Sequence, residues 1–441
     1  MMQIERKVVS YESPELGKTV SHYILIAHTA KRSIVLSHVN IFLHDTARAS
    51  LRTSSRYSSI ISMLYRWLAK QPKYANYDPT QYHALVDNRD LKRWQVDRQV
   101  LRVETQSLKP SSETVYEDLK IILNYFHWLN IKGYKSNVEI ELKRSTAYFN
   151  RSRLLSYIQA KARVTIDAKN VRALDKESRQ SQRRTLINQS EIRTYLSSFT
   201  DPVYKALFKF ALGTAMRPMD LCKYPYVGNG KNFHIMPYSE MNQEPQTFEY
   251  TVYASKGNKT RTIILQSDDL RELDEGYIKP FYEERRKKYK ERFGHDCPPS
   301  ILFLNSRGVP VTATKIASRG NAAKMKALSL DENFRESVNF YESRHWWPTM
   351  FLIRYFQEDL LKDAADVMWA ACGDILRRQM GHEDLDTTFK HYVVMGRLVM
   401  LANKGKTTEL ISKANLGVSA FIKEVTDGQL VMGELSQASD E

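Results

Sequence analysis

Apolar positions in the first fifty residues fall in short runs. Tyr23 to Ala27, Ser33 to Leu36 and Val39 to Leu43 are rich in Ile, Val and Phe, and the polar stretch His28 to Arg32 breaks them, which predicts a small sheet or hairpin over residues 1–50. From Tyr57 the period changes. Tyr57, Ile60, Ile61, Leu64, Trp67 and Leu68 share one helical face, and Val115, Leu119, Ile122, Phe126 and Leu129 repeat the pattern before Gly133 ends it. These stripes predict a helical domain over 51–165. Between Arg151 and Thr185 ten Lys or Arg residues stand against three acids, and Asp175 to Thr185 has no apolar period, so 166–185 reads as a basic linker.

A second domain, 186–400, opens at Leu186, where Asn188 and Glu191 have the spacing of a capping box. Val203, Ala206, Leu207, Phe210 and Ala211 line one face of a helix predicted to end at Gly213. Phe248 to Ala254 and Thr262 to Leu265 flank the turn Lys256-Gly257-Asn258-Lys259 as a β-hairpin. Ile301 to Leu304 and Gly308 to Val311 read as a strand and a turn, and Pro348 suits the first turn of a helix running through Phe351 and Phe356. An amphipathic helix through Ile375 and Met380 should stop at Gly381, because glycine takes the left-handed cap without a steric penalty. Asp386 or Thr387 can cap a further helix carrying Tyr392. Arg397 to Ala414 is helical in pattern, and the last twenty residues of the 401–441 tail carry five acids against one lysine. The fold class that follows is mainly α with small β-sheets.

Charge narrows the partners. Among 441 residues, Lys plus Arg exceed Asp plus Glu by 66 to 50, and the net +16 favours a polyanion, double-stranded DNA first. Cys222, Cys297 and Cys372 are widely spaced, which argues against a disulfide framework and a zinc site and favours a reducing compartment. No signal-peptide core and no apolar run of spanning length occurs, so the expected setting is cytoplasmic, without a membrane. Gly228-Asn229-Gly230-Lys231 is too short for a nucleotide-binding loop, and neither an HExxH motif nor a clustered acidic metal site appears. ATP-driven and two-metal chemistry are therefore disfavoured.

Four separated segments carry candidate chemistry. Gly213-Thr214-Ala215-Met216-Arg217-Pro218-Met219-Asp220 puts an acid three residues after an arginine. Ser255-Lys256-Gly257-Asn258-Lys259 places a lysine on a hairpin turn. Tyr341-Glu342-Ser343-Arg344-His345 joins a phenol, an arginine and a histidine. Gly381-His382, Thr387-Thr388 and Tyr392 follow. In this order they resemble the motifs of the tyrosine recombinase (phage integrase) family, over roughly residues 57–400.

The resemblance implies a helical core-binding domain, an α+β catalytic domain, and an enzyme that cuts and rejoins DNA through a 3′-phosphotyrosine without a cofactor or metal. Arg217 and Arg344 would grip the scissile phosphate, with Asp220 orienting Arg217 and His345 supporting. Lys256 would protonate the leaving 5′ oxygen, His382 would assist, and Tyr392 would be the nucleophile. This chain departs from the pattern twice. Tyr341 stands where a histidine is usual, and Tyr392 lies ten residues after His382 where nine are usual, with His391 in that place. Also implied are a homo-tetramer in synapsis, accessory directionality or DNA-bending proteins, nucleoid association, a role in moving a mobile element, and a tail that docks on a neighbour. Residues 1–50 could bind accessory DNA or serve as a packing strand pair. A type IB topoisomerase or telomere resolvase, and a DNA-binding relative with a decayed site, remain the alternatives.

Overall fold

A computed structural model of the chain describes residues 2–14, 17–30, 32–107, 109–144, 164–168, 170–173, 186–356, 375–376, 378–381 and 392. The chain divides into two compact units, Met1–Arg183 and Arg184–Glu441. Both are helical assemblies with small antiparallel sheets.

The first unit begins with β1 (Gln3–Ser13) and β2 (Lys18–His28), an antiparallel hairpin in register from Gln3 opposite His28 to Ser13 opposite Lys18. The short β3 (Ser33–Val35) pairs with the far edge of β2. Val39 to Leu43, which the sequence places in the sheet, is instead part of helix α1 (Ser37–Ala47). The physical reason is the period: Val39, Phe42, Leu43 and Ala47 are all buried, and their three- and four-residue spacing suits a helix face, not a pleat. Asn40 fastens α1 to the sheet, its amide accepting from Leu25 N–H at 2.7 Å and donating to Leu25 C=O at 3.0 Å.

Helix α2 (Leu51–Leu68) starts at Ser50, whose hydroxyl accepts from Thr53 N–H. Arg6 of β1 crosses to it, donating to Ser58 Oγ at 3.1 Å and Ser55 C=O at 2.7 Å while lying 4.8 Å over the Tyr23 ring. The hairpin is thus fused to the helices and shares their core: Leu25 and Ala27 of β2 bury with Phe42, Leu43, Ile61, Leu64, Leu119 and Ile122. A short helix α3 (Tyr82–Leu85) leads to α4 (Asn88–Glu104), entered through a capping box of Asp87 and Asp90, and Ser111 caps α5 (Ser112–Ile131). Beyond these, β4 (Glu141–Arg144) pairs with β5 (Val164–Asp167), and Ala168 and Val171 are buried. Gln95 of α4 donates to Val171 C=O and accepts from Ala173 N–H, so well-packed structure reaches residue 173, inside the stretch the sequence reads as linker.

In the second unit, α6 (Gln189–Ser198) begins with the capping box of Asn188 and Glu191. The central helix α7 (Pro202–Thr214) opens with Pro202 behind the cap Asp201 and buries Val203, Leu207, Phe208, Ala211 and Leu212. Its left-handed C-terminal residue is Ala215, at φ 53°, two residues past the expected Gly213. Gly213 serves another purpose: a Cβ there would come within 2.2 Å of Asp269 Oδ2, so only glycine permits the approach. Next come α8 (Pro218–Leu221) and the hairpin of β6 (Thr247–Ser255) and β7 (Lys259–Gln266), whose turn holds Gly257 and Asn258 at positive φ. Asn232 brackets β6, accepting from Thr251 N–H at 2.7 Å and donating to its C=O at 2.9 Å.

The chain continues through α9 (Ser267–Leu273), a π-helix (Asp274–Tyr282), α10 (Glu283–Phe293), a bridge between Leu304 and Pro310, α11 (Ala313–Leu330) and α12 (Ser343–Phe356). Pro348 lies inside α12, beyond the first turn expected of it. Among the described residues no helix is long and apolar enough to cross a membrane. His382, Thr387, Thr388 and the tail positions Leu398, Val399, Leu401, Leu410, Ile411 and Ala414 lie outside the described residues.

Phe42 tests whether the N-terminal sheet and the helices form one cooperative body. Its ring meets Tyr57, Tyr125 and Trp128 at 6.0, 5.2 and 5.8 Å. Phe42→Ala should cost about 3–5 kcal/mol. In urea denaturation of residues 1–183, strand and helix signals should be lost in one transition shifted to lower denaturant; two separated transitions would show the sheet to be independent.

Candidate active site

Arg217 sits where α7 has ended in the left-handed turn at Ala215 and α8 has not begun. Its Nη1 donates to Ser255 Oγ and its Nη2 to the Gly381 carbonyl, both at 3.4 Å. Asp220, on α8, is fully buried. The sequence suggests that this carboxylate orients Arg217; in the fold it takes a different guanidinium, Arg261 Nη2 at 3.0 Å, together with Ser255 Oγ–H at 2.9 Å. Asp220 therefore reaches the Arg217 side chain through the Ser255 hydroxyl.

Arg344 opens α12 and is 2% exposed. Its Nη1 donates to Ala215 C=O and its Nη2 to Met380 C=O. Burial, then the nearby positive Arg217, depress its pKa from the usual arginine value, and Tyr341 and Tyr392 act in the opposite direction. It nonetheless stays charged at neutral pH, since an arginine starts so high. His345 follows, its ring between Tyr341, at 5.7 Å, and Tyr392, at 5.9 Å. Tyr341 itself is 45% exposed, so it is not a core side chain.

Tyr392 is 3% exposed. Burial pushes its phenol up to about 12; Arg344 and Arg217 pull against that shift and Tyr341 adds to it. The phenol is neutral at pH 7 and lies within electrostatic reach of both arginines. Lys256 is on the exposed turn directly after Ser255 and makes no hydrogen bond or ion pair among the described residues. Arg217, Asp220, Tyr341, Arg344, His345 and Tyr392 thus gather in one place, with Lys256 on a neighbouring exposed turn; His382 lies outside the described residues. Among the described residues no group of three or more His, Cys, Asp or Glu side chains gathers as for a metal.

The helical residues 378–380 and Gly381 complete the site. Gln379 is 4% exposed and brackets β7: its Oε1 accepts from Ile264 N–H at 2.9 Å, and its Nε2 donates to Ile264 C=O and Thr214 C=O, each at 3.1 Å. Gly381 has φ 62°, and a Cβ there would lie 2.9 Å from Arg261 Cδ. Three consecutive carbonyls then each meet a different arginine: Gln379 C=O takes Arg261 Nε, Met380 C=O takes Arg344, and Gly381 C=O takes Arg217. Gln379 and Met380 end the helical residues 378–380 and Gly381 follows in the left-handed turn, and carbonyls at a helix C-terminus lack intrahelical donors and carry the negative end of its dipole.

Sequence reasoning missed Arg261 and Ser255. One signal was present. Strand alternation puts Arg261 on the same face as Ile263 and Leu265, both buried, and a charge on a core face needs a partner.

No protein-family model matches the sequence, and no curated protein matches it. Among solved structures, the chain is similar to a XerH site-specific recombinase bound to a palindromic difH substrate, at 15% identity over 85% of each chain with a TM-score of 0.47. It is also similar to a Tn1549 transposon integrase in complex with a circular intermediate DNA, at 13% identity, covering 83% of this chain and 98% of that one, TM-score 0.46. A lambda integrase dimer bound to a core site gives 11% identity, 81% and 94% coverage and a TM-score of 0.45.

Gly381→Ala would combine a left-handed backbone with a side chain driven into Arg261. We expect a loss of roughly 1–2 kcal/mol from the backbone alone, with the contact adding to it. Guanidinium denaturation of the wild type and the variant checks this, and an unchanged midpoint would show that the close approach is not held in solution.

Proposed function

We propose that this chain is a tyrosine recombinase, an enzyme that cuts and rejoins duplex DNA at specific sites through a covalent 3′-phosphotyrosine at Tyr392. The observation that carries the reading is that a buried phenol lies beside two arginines drawn from distant segments, Arg217 and Arg344, in the order and with the neighbours of that family's motifs. The net charge of +16 supports a DNA partner.

The chemistry follows from the groups. The Tyr392 oxygen attacks the scissile phosphorus, the bond to the 5′ oxygen breaks, and a 3′-phosphotyrosine remains. Arg217 and Arg344 donate to the non-bridging oxygens, whose negative charge grows in the transition state. A phenol near its ordinary pKa is only about one part in a thousand ionised at pH 7, and burial makes this one less acidic still. Phosphate approach and proton removal, with His382 assisting, must therefore be coupled. Lys256 on its exposed turn supplies the proton that the leaving 5′ oxygen needs. The freed 5′-hydroxyl of a partner strand reverses the step, and the energy of the broken bond is kept in the adduct. Tyr341, exposed and close to the phenol, donates to phosphate in place of the usual histidine.

Exchange between two duplexes calls for four active centres, so the working assembly is a homo-tetramer on DNA, with the tail past Tyr392 linking neighbours and accessory proteins setting direction. Integration or excision of a mobile element on the nucleoid is the role that fits this chemistry.

Two measurements test the assignment. Tyr392→Phe should retain DNA binding in a gel shift and lose the covalent adduct on a nicked duplex, and peptide mapping of the wild-type adduct should place it on Tyr392; attachment at another residue would refute the placement. Lys256→Ala should slow cleavage by roughly 10²-fold, at the lower end of general-acid contributions. That loss should largely vanish on DNA with a bridging 5′ sulfur, because a thiol of pKa about 8.5 leaves without an acid. If sulfur gives no relief, Lys256 is not the acid.

A further inference from the structure

We propose that Arg261 is the positioning residue of this site: it aims Arg217 through Ser255 and Asp220, and it ties the turn bearing Lys256 to the segment that leads into Tyr392. The inference rests on the recombinase reading above.

Arg261 spends each guanidinium nitrogen on a different element. Nη1 donates to Ser255 Oγ at the end of β6, at 2.8 Å; Nη2 donates to Asp220 Oδ2 on α8, at 3.0 Å; Nε donates to Gln379 C=O, at 3.3 Å. Of the two hydrogen-bond acceptors of the Arg217 guanidinium, this one side chain bonds the first, Ser255 Oγ, and packs against the residue that carries the second, Gly381. Ser255 Oγ accepts from Arg261 and donates a hydrogen bond to Asp220, and Gly381 lies against the Arg261 side chain so closely that no Cβ fits. Arg261 is 9% exposed at its side chain and the Asp220 carboxylate is fully buried, so their geometry is set by protein, not solvent. Lysine could not replace it, because a single ammonium cannot reach three acceptors in a planar fork. With its nitrogens so committed, Arg261 acts on the phosphate through Arg217.

Four readouts on the whole chain test this. The probe is a pool of nicked duplexes with a randomised core, from which covalently attached species are recovered under denaturing conditions. Arg261→Lys should fold, by circular dichroism, and keep the DNA concentration for half-maximal cleavage, while single-turnover adduct formation falls roughly 10²-fold, the cost of a small misplacement at a reacting centre. Guanidinium ion at sub-denaturing concentration should restore part of the rate to Arg261→Ala. In an Arg217→Ala background, Arg261→Lys should add almost nothing, because residues acting through one another are not additive. Full-rate cleavage by Arg261→Lys, a rate loss that multiplies with that of Arg217→Ala, or a loss of DNA binding in proportion to rate would each overturn the inference. Wild-type protein that forms no adduct refutes the recombinase reading instead. Amide hydrogen exchange then still judges Arg261: its replacement by lysine should raise exchange at residues 254–258 and 379–381 together, and a response in one segment alone would show that it does not join them.

Discussion

The second unit is built around the problem of holding three guanidinium groups together with little water. Arg217, Arg261 and Arg344 raise each other's electrostatic cost, and one buried carboxylate, Asp220, answers only part of it. The remainder is met by backbone. Successive carbonyls of Gln379, Met380 and Gly381, at the negative end of a helix, each accept from one arginine, and Ala215 C=O takes the second hand of Arg344. The left-handed end of α7, the β6–β7 hairpin, the start of α12 and the chain before Tyr392 are thereby bound by the same charges. A phosphate arriving here would meet donors already collected, and their preparation is part of the folding energy.

Much of this was legible in the sequence, for reasons that can be named. The helices of both units follow apolar stripes, and the Asn188–Glu191 capping box announces its own geometry because its three-residue spacing is local. Val39 to Leu43 misled because β-branched and aromatic composition suggests a strand, while the buried positions keep a helical period. Gly213 misled for a different reason. A glycine at a helix end reads as a cap, but here it makes room for Asp269, and Ala215 takes the left-handed turn with its carbonyl accepting from Arg344.

The site divides in the same way. Arg217 and Arg344 stand out by their motifs and Tyr392 as the tyrosine following Thr387-Thr388, one residue off the usual spacing, and the fold brings the three within electrostatic reach of one another. Which arginine Asp220 would hold could not be read, because the choice between Arg217 and Arg261 depends on the hairpin bringing Arg261 back to Asp220 from 41 residues downstream, a tertiary fact. Arg261 itself was hidden by its surroundings. Following Lys256 and Lys259 it looks like another turn charge, and only its alternation with Ile263 and Leu265 marks it as inward.

Among the described residues four side-chain amides, those of Asn40, Asn88, Asn232 and Gln379, pair with both backbone groups of one residue, and all but Asn88 do so on a strand, standing in for a strand neighbour. Two of them bracket the same hairpin, Asn232 at Thr251 of β6 and Gln379 at Ile264 of β7. A two-stranded hairpin is marginal alone, and its open edges invite other chains. The β6 bracket lies 19 residues away in sequence, but the β7 bracket lies 115 residues downstream. A ribosome must therefore finish nearly the whole unit before that edge can close. Until then the hairpin has one bare side, Arg217 has no Gly381 carbonyl to hold, and a nascent or truncated chain carries the arginines without the arrangement that makes them a site.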